Sequence, residues 1–183
     1  MGLDMYLEGS FSTPTYIKPT DQQYADMREG KNVRINKSPE LEDAINAIGF
    51  QDAPIAYLYN HMTYTFPIIT WRKANQIHKF FVDNCQEGND NCQRHYVSTG
   101  DLKMLLDRIN TILEIKTPVA RELKAEELLP TDNEGCFFGT KEYDDWYYQD
   151  LKDTKRTLDK LFEYEENAEA GKNFDNFYYQ SSW

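Results

Sequence analysis

The sequence predicts an α+β fold, in which a small, mainly antiparallel sheet of about four strands packs against three or four helices. Residues 3–11 alternate apolar and polar side chains, which is the period of a strand with one buried face. Residues 98–115 instead place apolar side chains at the spacing of an amphipathic helix. A chain of 183 residues, of which 14% are aromatic, is long enough for one domain with its own core.

The N-terminal part of the chain is predicted to contain that strand, a long loop and a helix. Residues 12–37 have no strong pattern, and a run of this length indicates a mobile loop or lid. The helix follows over residues 38–50, where Ser38 supplies an N-cap, Pro39 occupies the first helical position and Gly49 ends the helix.

The middle of the chain is predicted to form a strand followed by a helix. Residues 54–66 are rich in Tyr, Ile and Leu, which favours a central strand. The next helix is predicted to start at Trp71, with Arg72 and Lys73 in its first turn. Its apolar stripe has helical spacing and consists of Trp71, Ala74, His78, Phe81 and Cys85. Its opposite, polar side consists of Arg72, Asn75, Gln76, Lys79 and Asp83.

The second half of the chain is predicted to be mostly helical. A short strand at residues 94–97 precedes the amphipathic helix, whose start has a capping-box-like pair, Ser98 and Asp101. A further short helix ends before Pro130. The apolar residues 135–138 then indicate a buried strand or turn.

The last helix is predicted to open at Thr140, which caps it. Asp144 and Asp145 fall in its first turn, where carboxylates interact favourably with the positive end of a helix. We therefore expect a single domain over residues 1–166. Residues 167–183 lack a regular pattern and are predicted to form a loose tail, unless their aromatic side chains dock on the domain.

The composition excludes several classes of protein. No run of residues is apolar and long enough to span a bilayer, and the N-terminus lacks the features of a signal peptide, so we expect a cytosolic protein without a membrane partner. The formal net charge is −11 and no broad basic face is evident, so direct nucleic-acid binding is not expected. The same charge suits a basic protein surface as a partner.

No cofactor and no metal ion is expected from the sequence. Glycine-rich nucleotide-binding motifs and nucleophile elbows do not occur in it. Cys85 and Cys92 are not spaced as a zinc pair, and no two histidines lie four residues apart. Cys136 lacks a basic neighbour that would activate its thiol. We therefore expect three reduced cysteines in a reducing compartment.

The chain contains the blocks "MGLDMYL", "WRKANQIHKFF" and "ELLPTDNEGCFFGTKEYDDWYYQDLKDT", in this order. Together these blocks resemble a family of small uncharacterised proteins common in bacteriophage and prophage genomes. They lie at residues 1–7, 71–81 and 127–154 and are thus distributed along the chain outside residues 12–37 and the tail, with departures at Cys136 and Lys141. The resemblance implies a phage-associated protein of the host bacterial cytoplasm, and it brings no catalytic residues with it.

The candidate site lies at Trp71, Arg72 and Lys73. Residues 71–120 carry seven basic and six acidic side chains, whereas the whole chain carries 20 basic and 31 acidic ones. Arg72 and Lys73 are suited to clamp a phosphate or carboxylate, and Trp71 and Tyr64 to stack on a planar ring. The alternative is a solvated polar face whose cations pair with some of the acids.

His78 and two tyrosines complete the set of candidate residues. His78 lies on the apolar stripe of its helix, where a histidine is more often a hydrogen-bonded core residue than a general base. Trp146, Tyr147 and Tyr148 are expected to face the core in part. Tyr143 and Tyr148 are candidates for reaching a pocket.

Three kinds of function are compatible with these residues. The leading hypothesis is a phage-encoded acidic binding protein rather than an enzyme. It would inhibit a host protein as an anti-defence factor, or sequester a small anionic ligand, through Trp71, Arg72 and Lys73. The alternative is a small enzyme acting on a nucleotide or phosphorylated metabolite, with His78 as base and Arg72 as anion clamp. The third is a structural or assembly role.

Overall fold

The computed structural model describes residues 2–14, 19–31, 39, 61–131, 138–168 and 173–183. The chain forms two compact units, one made of Met1–Phe11 and Thr65–Trp183 and the other of Ser12–Tyr64. In the described part of the chain, one four-stranded antiparallel sheet and five helices confirm the predicted α+β class, with more helices than expected.

The elements follow one another along the chain as strands and helices in mixed order. They are β1 (Asp4–Pro14), α1 (Asp21–Arg28), β2 (His61–Arg72), α2 (Asn75–Cys85), β3 (His95–Val97), α3 (Thr99–Glu114), α4 (Pro118–Leu128), α5 (Asp145–Asn167) and β4 (Asn176–Ser182). The strands lie in the order β2-β1-β4-β3. None of the described helices combines the length and the apolar content needed to cross a bilayer.

The last strand of the chain, β4, lies inside the sheet between the first strand and the third. Met5 pairs with Ser181 across β1 and β4, and Tyr96 pairs with Tyr178 across β3 and β4. Residues 176–182 thus meet the exception stated for the predicted loose tail over residues 167–183, because their aromatic side chains dock on the domain. Residues 177–179 are three consecutive aromatics, so both faces of the strand carry aromatic side chains. The sequence therefore lacks the apolar/polar alternation that would predict a strand here.

The unit of residues 12–64 contains a helix that the sequence did not suggest. Part of the predicted loop over residues 12–37 is α1, which Thr20 caps by accepting a hydrogen bond from the backbone N–H of Gln23. None of the residues of α1 is buried, so the helix has no apolar stripe by which to recognise it. The helix predicted over residues 38–50 lies outside the described residues, except for Pro39.

The strand β2 is longer than predicted and replaces the first turn of the expected helix. The strand predicted over residues 54–66 is observed from His61 to Arg72, at the edge of the described sheet, where Pro67 is tolerated. The backbone N–H of Lys73 still donates to the carbonyl of Leu3 at 2.8 Å, and α2 begins only at Asn75. The prediction of a helix starting at Trp71 is therefore wrong.

The helices α2, α3 and α5 supply the helical side of a single core. Buried side chains from the two central strands meet them there, namely Met5, Leu7, Phe177 and Tyr179, together with Leu3 just before β1. The apolar stripe of α3 is confirmed, as is its capping box between Ser98 and Asp101. The helix α4 ends at Leu128, before Pro130, as predicted. The last helix starts later than expected, because Asp144 rather than Thr140 caps it.

The position of β4 predicts that two neighbouring tyrosines contribute very differently to the stability of the fold. Tyr179 is fully buried and its ring stacks on Phe81 with centroids 4.2 Å apart, whereas Tyr178 lies half-buried on the other face of the sheet. We expect Tyr179→Ala to lower the free energy of unfolding by ~3–5 kcal/mol. Tyr178→Ala, which loses its contact with the guanidinium of Arg94, should cost about 1 kcal/mol.

Urea titrations of the two variants and the wild type measure both values. Equal, small losses would mean that the C-terminal strand does not hold the sheet together.

Candidate functional site

A cleft of about 230 Å³ lies where β2 ends and α5 begins. All of its lining residues belong to the unit that contains residues 65–183. The lining combines cationic, neutral polar, acidic and aromatic side chains and consists of Arg72, Lys73, Gln76, Gly139, Thr140, Glu142, Trp146, Tyr147 and Asp150. The structure thus brings two of the predicted site residues, Arg72 and Lys73, to the start of the last helix.

The backbone holds Lys73 in a fixed conformation. Its φ is 59°, in the left-handed region, which a non-glycine residue adopts only where its surroundings impose it. The N–H of Lys73 is bonded to β1, and its carbonyl accepts a hydrogen bond from the N–H of Asn75 at 2.9 Å. Gly139 packs directly against this turn, because a Cβ at Gly139 would lie 2.6 Å from the carbonyl oxygen of Lys73. Position 139 therefore requires glycine.

The two cations of the cleft are weakly neutralised. The side chain of Arg72 is 72% exposed, and its Nε lies 3.9 Å from a carboxylate oxygen of Asp4. Lys73 is exposed and forms no ion pair with the residues that the structure describes. By contrast, Lys155 and Arg156 on α5 pair with carboxylates at 2.9 and 2.8 Å. The charges of Arg72 and Lys73 are thus available to a ligand.

The cleft also contains two acids, Glu142 and Asp150. Burial raises the pKa of the Asp150 carboxyl to about 6, an effect that the nearby Asp153 and Asp144 reinforce. The amide of Gln76 opposes it by donating to the carboxylate at 3.4 Å. Asp150 is therefore a partly desolvated carboxylate at neutral pH, held on α5 with Gln76 of α2 beside it.

The aromatic residues of the cleft differ sharply in exposure. Tyr147 is buried, its hydroxyl donates to the carbonyl of Leu129 at 2.8 Å, and burial raises its pKa far above the usual range. Trp146 is 78% exposed, although the sequence analysis expected it to face the core in part. Tyr147 thus forms part of the fixed wall, and Trp146 offers a free indole face at the rim.

Trp71 is a core residue, as its apolar stripe predicted. Only 6% of its surface is exposed, its ring packs on Phe81, and its Nε1 donates to the hydroxyl of Thr154 at 2.8 Å. It does not line the cleft. Trp71 therefore supports the end of β2 from beneath, while the neighbouring Arg72 and Lys73 face the solvent.

His78 is buried and hydrogen-bonded on both sides. Its Nδ1 lies 2.7 Å from the hydroxyl of Tyr179, and its Nε2 lies 3.0 Å from a carboxylate oxygen of Asp90. His78 is not among the residues that line the cleft. With both ring nitrogens engaged, His78 links α2 to β4.

The two tyrosine candidates also lie outside the cleft lining. Tyr143 is half-buried against Tyr147, with ring centroids 4.9 Å apart. Tyr148 is half-buried beneath the guanidinium of Arg121, which lies 4.6 Å from the ring centroid.

The sequence analysis missed the wall that α5 contributes. Trp146 and Asp150 lie four residues apart and therefore one helical turn apart on the same side of the helix. That spacing was visible, but only the fold shows that this side of α5 meets the end of β2. Glu142 and Gly139 gave no comparable signal, because they precede the helix.

The residues that the structure describes form neither a metal site nor a reactive thiol. No group of three or more possible metal ligands occurs there. Burial raises the pKa of the Cys85 thiol to about 12, so this sulfur stays protonated and is a poor nucleophile at neutral pH. Cys136 lies outside the described residues.

Comparisons of the whole chain with family models, curated proteins and solved structures give no match. The resemblance to phage and prophage proteins thus stays a prediction. What can be said of function rests on the geometry of the cleft and on the composition of the chain.

The burial of Trp71 predicts a large loss of stability on its removal. Trp71→Ala should lower the free energy of unfolding by ~3–5 kcal/mol, because it leaves a cavity and removes the hydrogen bond to the Thr154 hydroxyl. Trp71→Phe keeps most of the volume and should cost less. A chemical denaturation series measures both variants, and a loss below about 1 kcal/mol for Trp71→Ala would contradict a core position.

The raised pKa of Asp150 predicts a pH-dependent effect of its replacement. Between pH 3.8 and about 6, the folded chain holds a proton that the unfolded chain releases, so the contribution of Asp150 to stability falls as the pH rises. Above that range the penalty is constant. Asp150→Asn should therefore gain stability relative to wild type from pH 4 to pH 7, by ~1–2 kcal/mol after allowance for partial exposure.

Urea titrations at several pH values test this. Asp107→Asn, at an exposed position of α3, controls for the loss of a carboxylate. The same pH trend in both variants would contradict a specific effect of burial at Asp150.

Proposed function

We propose that this protein is an acidic binding protein, and that its cleft holds the anionic group of a small ligand against Arg72 and Lys73. One observation carries the proposal: two adjacent cations line a cleft in a chain of net charge −11. Lys73 has no ion-pair partner among the described residues, and Arg72 has only Asp4, at 3.9 Å. In so acidic a protein, cations that serve only stability have many carboxylates to pair with. Arg72 and Lys73 can therefore take their counter-ion from an anionic ligand.

The rigidity of the turn favours binding. Lys73 is fixed between β1 and the start of α2, and Gly139 packs against its carbonyl, so little backbone order is lost when a ligand arrives. Arg72 can contact a phosphate or carboxylate with two parallel N–H groups, and Lys73 adds a point charge. Thr140 and Gln76 line the same cleft and can supply neutral hydrogen bonds.

The biological setting is proposed from the sequence rather than from the cleft. The resemblance to phage and prophage proteins supports a phage-encoded factor acting in the host bacterial cytoplasm. The excess of acids over bases also suits inhibition of a host protein with a basic surface, as an anti-defence factor would require. Of the two modes of action predicted, sequestration of a small anionic ligand is the one that the cleft favours.

The enzymatic alternative loses the base that the sequence analysis assigned to it. It required His78 to act on a ligand held by Arg72, but both ring nitrogens of His78 have partners and the residue lies outside the lining. A general base must come within hydrogen-bond reach of the proton that it removes. No observation on the described residues therefore favours catalysis by His78.

Binding is tested with a double variant and a matched control. Arg72→Gln/Lys73→Gln removes one arginine and one lysine from the cleft. Lys155→Gln/Arg156→Gln removes the same charges from α5, where both are paired with carboxylates. The probes are a panel of phosphorylated and carboxylated metabolites, including ribose 5-phosphate, with binding measured by thermal shift and calorimetry.

We expect at least one probe to stabilise the wild type and the control variant. The cleft variant should fold normally and bind that probe about 10- to 150-fold more weakly, because charge-assisted contacts of ~1.5–3 kcal/mol are lost. Equal binding by the two double variants would contradict the proposal. So would the absence of any stabilisation of the wild type across the panel.

A further inference from the structure

The cleft keeps its positive and negative side chains apart. Its lining contains two cations, Arg72 and Lys73, and two acids, Glu142 and Asp150. Across the described ranges of the chain, no ion pair joins the two groups within 4.0 Å. A simple anion would be attracted by the cations and repelled by the acids. The arrangement instead suits a ligand that carries an anionic group at one end and hydrogen-bond donors at the other.

The acidic part is suited to amino groups of a heterocycle. A carboxylate accepts hydrogen bonds from the exocyclic amine of a nucleobase, as Asp and Glu do from N4 of cytosine. Asp150 is only partly exposed, so it lies in a region of reduced solvent screening where such bonds are stronger. The amide of Gln76 donates to the Asp150 carboxylate over a long distance of 3.4 Å, so this hydrogen bond is weak. Gln76 can exchange it for a hydrogen bond to a ligand.

The exposed indole at the rim supplies a stacking surface. Trp146 is the most exposed of the large apolar side chains in the described part of the chain, and it lies one turn before Asp150 on α5. A planar ring that stacks on Trp146 would therefore direct its edge toward the carboxylate. Stacking of a base on an aromatic side chain is favourable for every base, because each has a π-face.

The size of the cleft limits the ligand to a single small molecule. Its volume of about 230 Å³ lies below the ~300–1,000 Å³ of pockets that enclose drug-sized ligands. A bound molecule would thus have its charged end inside and part of its ring outside, against Trp146. The net charge of −11 opposes a polynucleotide but not a monomer with one phosphate.

Building on the proposed function, we infer that the ligand is a nucleoside monophosphate whose base carries an exocyclic amine. The phosphate contacts Arg72 and Lys73, the base stacks on Trp146, and the amine donates to the carboxylate of Asp150. All four side chains line the same cleft of about 230 Å³, so one molecule bound there can contact each of them.

Matched nucleotides separate these contacts by calorimetry on the full chain. Cytidine, adenosine and guanosine monophosphates carry the amine, whereas uridine and inosine monophosphates are their counterparts without it. Ribose 5-phosphate lacks the base, and cytidine lacks the phosphate. We expect at least one amine-bearing nucleotide to bind about tenfold tighter than its counterpart without the amine, and tighter than ribose 5-phosphate or the free nucleoside.

Single variants then assign each contact. Trp146→Ala should weaken nucleotide binding about tenfold and leave ribose 5-phosphate unaffected, with Tyr96→Ala at another exposed aromatic as control. Asp150→Ala, which leaves no acceptor at this position, should remove the preference for the amine. Arg72→Gln/Lys73→Gln should weaken the binding of every probe that carries a phosphate.

The outcomes distinguish this inference from the proposed function. If ribose 5-phosphate binds as tightly as the nucleotides and its binding depends on Arg72 and Lys73, the proposed anion site holds. The inference of a nucleotide ligand is then overturned. If nucleotides bind but Trp146→Ala and Asp150→Ala change nothing, the inference is also overturned. If no phosphate or carboxylate binds at all, both proposals fail.

Discussion

The insertion of β4 between β1 and β3 is the interaction on which the unit of residues 65–183 and 1–11 depends. It joins the last residues of the chain to the first and places Tyr179 at the centre of the core. There Tyr179 stacks on Phe81 and its hydroxyl lies within hydrogen-bond distance of His78. Phe81 and His78 thus attach α2 to the sheet. They thereby also fix the start of this helix, where the cleft begins.

The cleft is a consequence of how β2 passes into α2. Pairing with β1 continues to the N–H of Lys73, and the chain must then turn at once to begin the helix at Asn75. The left-handed conformation of Lys73 makes this turn, and Gly139 fits closely against it. Because Trp71 is buried below, Arg72 and Lys73 are left at the surface, beside the first turns of α5.

The sequence predicted what depended on local signals. The helix α3 has both an apolar stripe and a capping box, and both were read correctly. The stripe from Trp71 to Cys85 suggested one continuous helix, because residues of a strand, a turn and a helix fell by chance at helical spacing. The local reversal of charge indicated Arg72 and Lys73. The part of the cleft formed by Trp146 and Asp150 depends on the packing of α5, which no local pattern specifies.

The electrostatics of the cleft support the proposed binding role. Asp150 carries a desolvation penalty, which its raised pKa records, and a nearby cation would remove it. Arg72 and Lys73 line the same cleft and yet form no ion pair with Asp150, within the part of the chain that the structure describes. A cleft optimised only for stability would bring these charges together. Because the cations and Asp150 form no ion pair, a molecule that contacts both would make electrostatic interactions that the free protein lacks. Such a molecule would bind the folded chain and stabilise it.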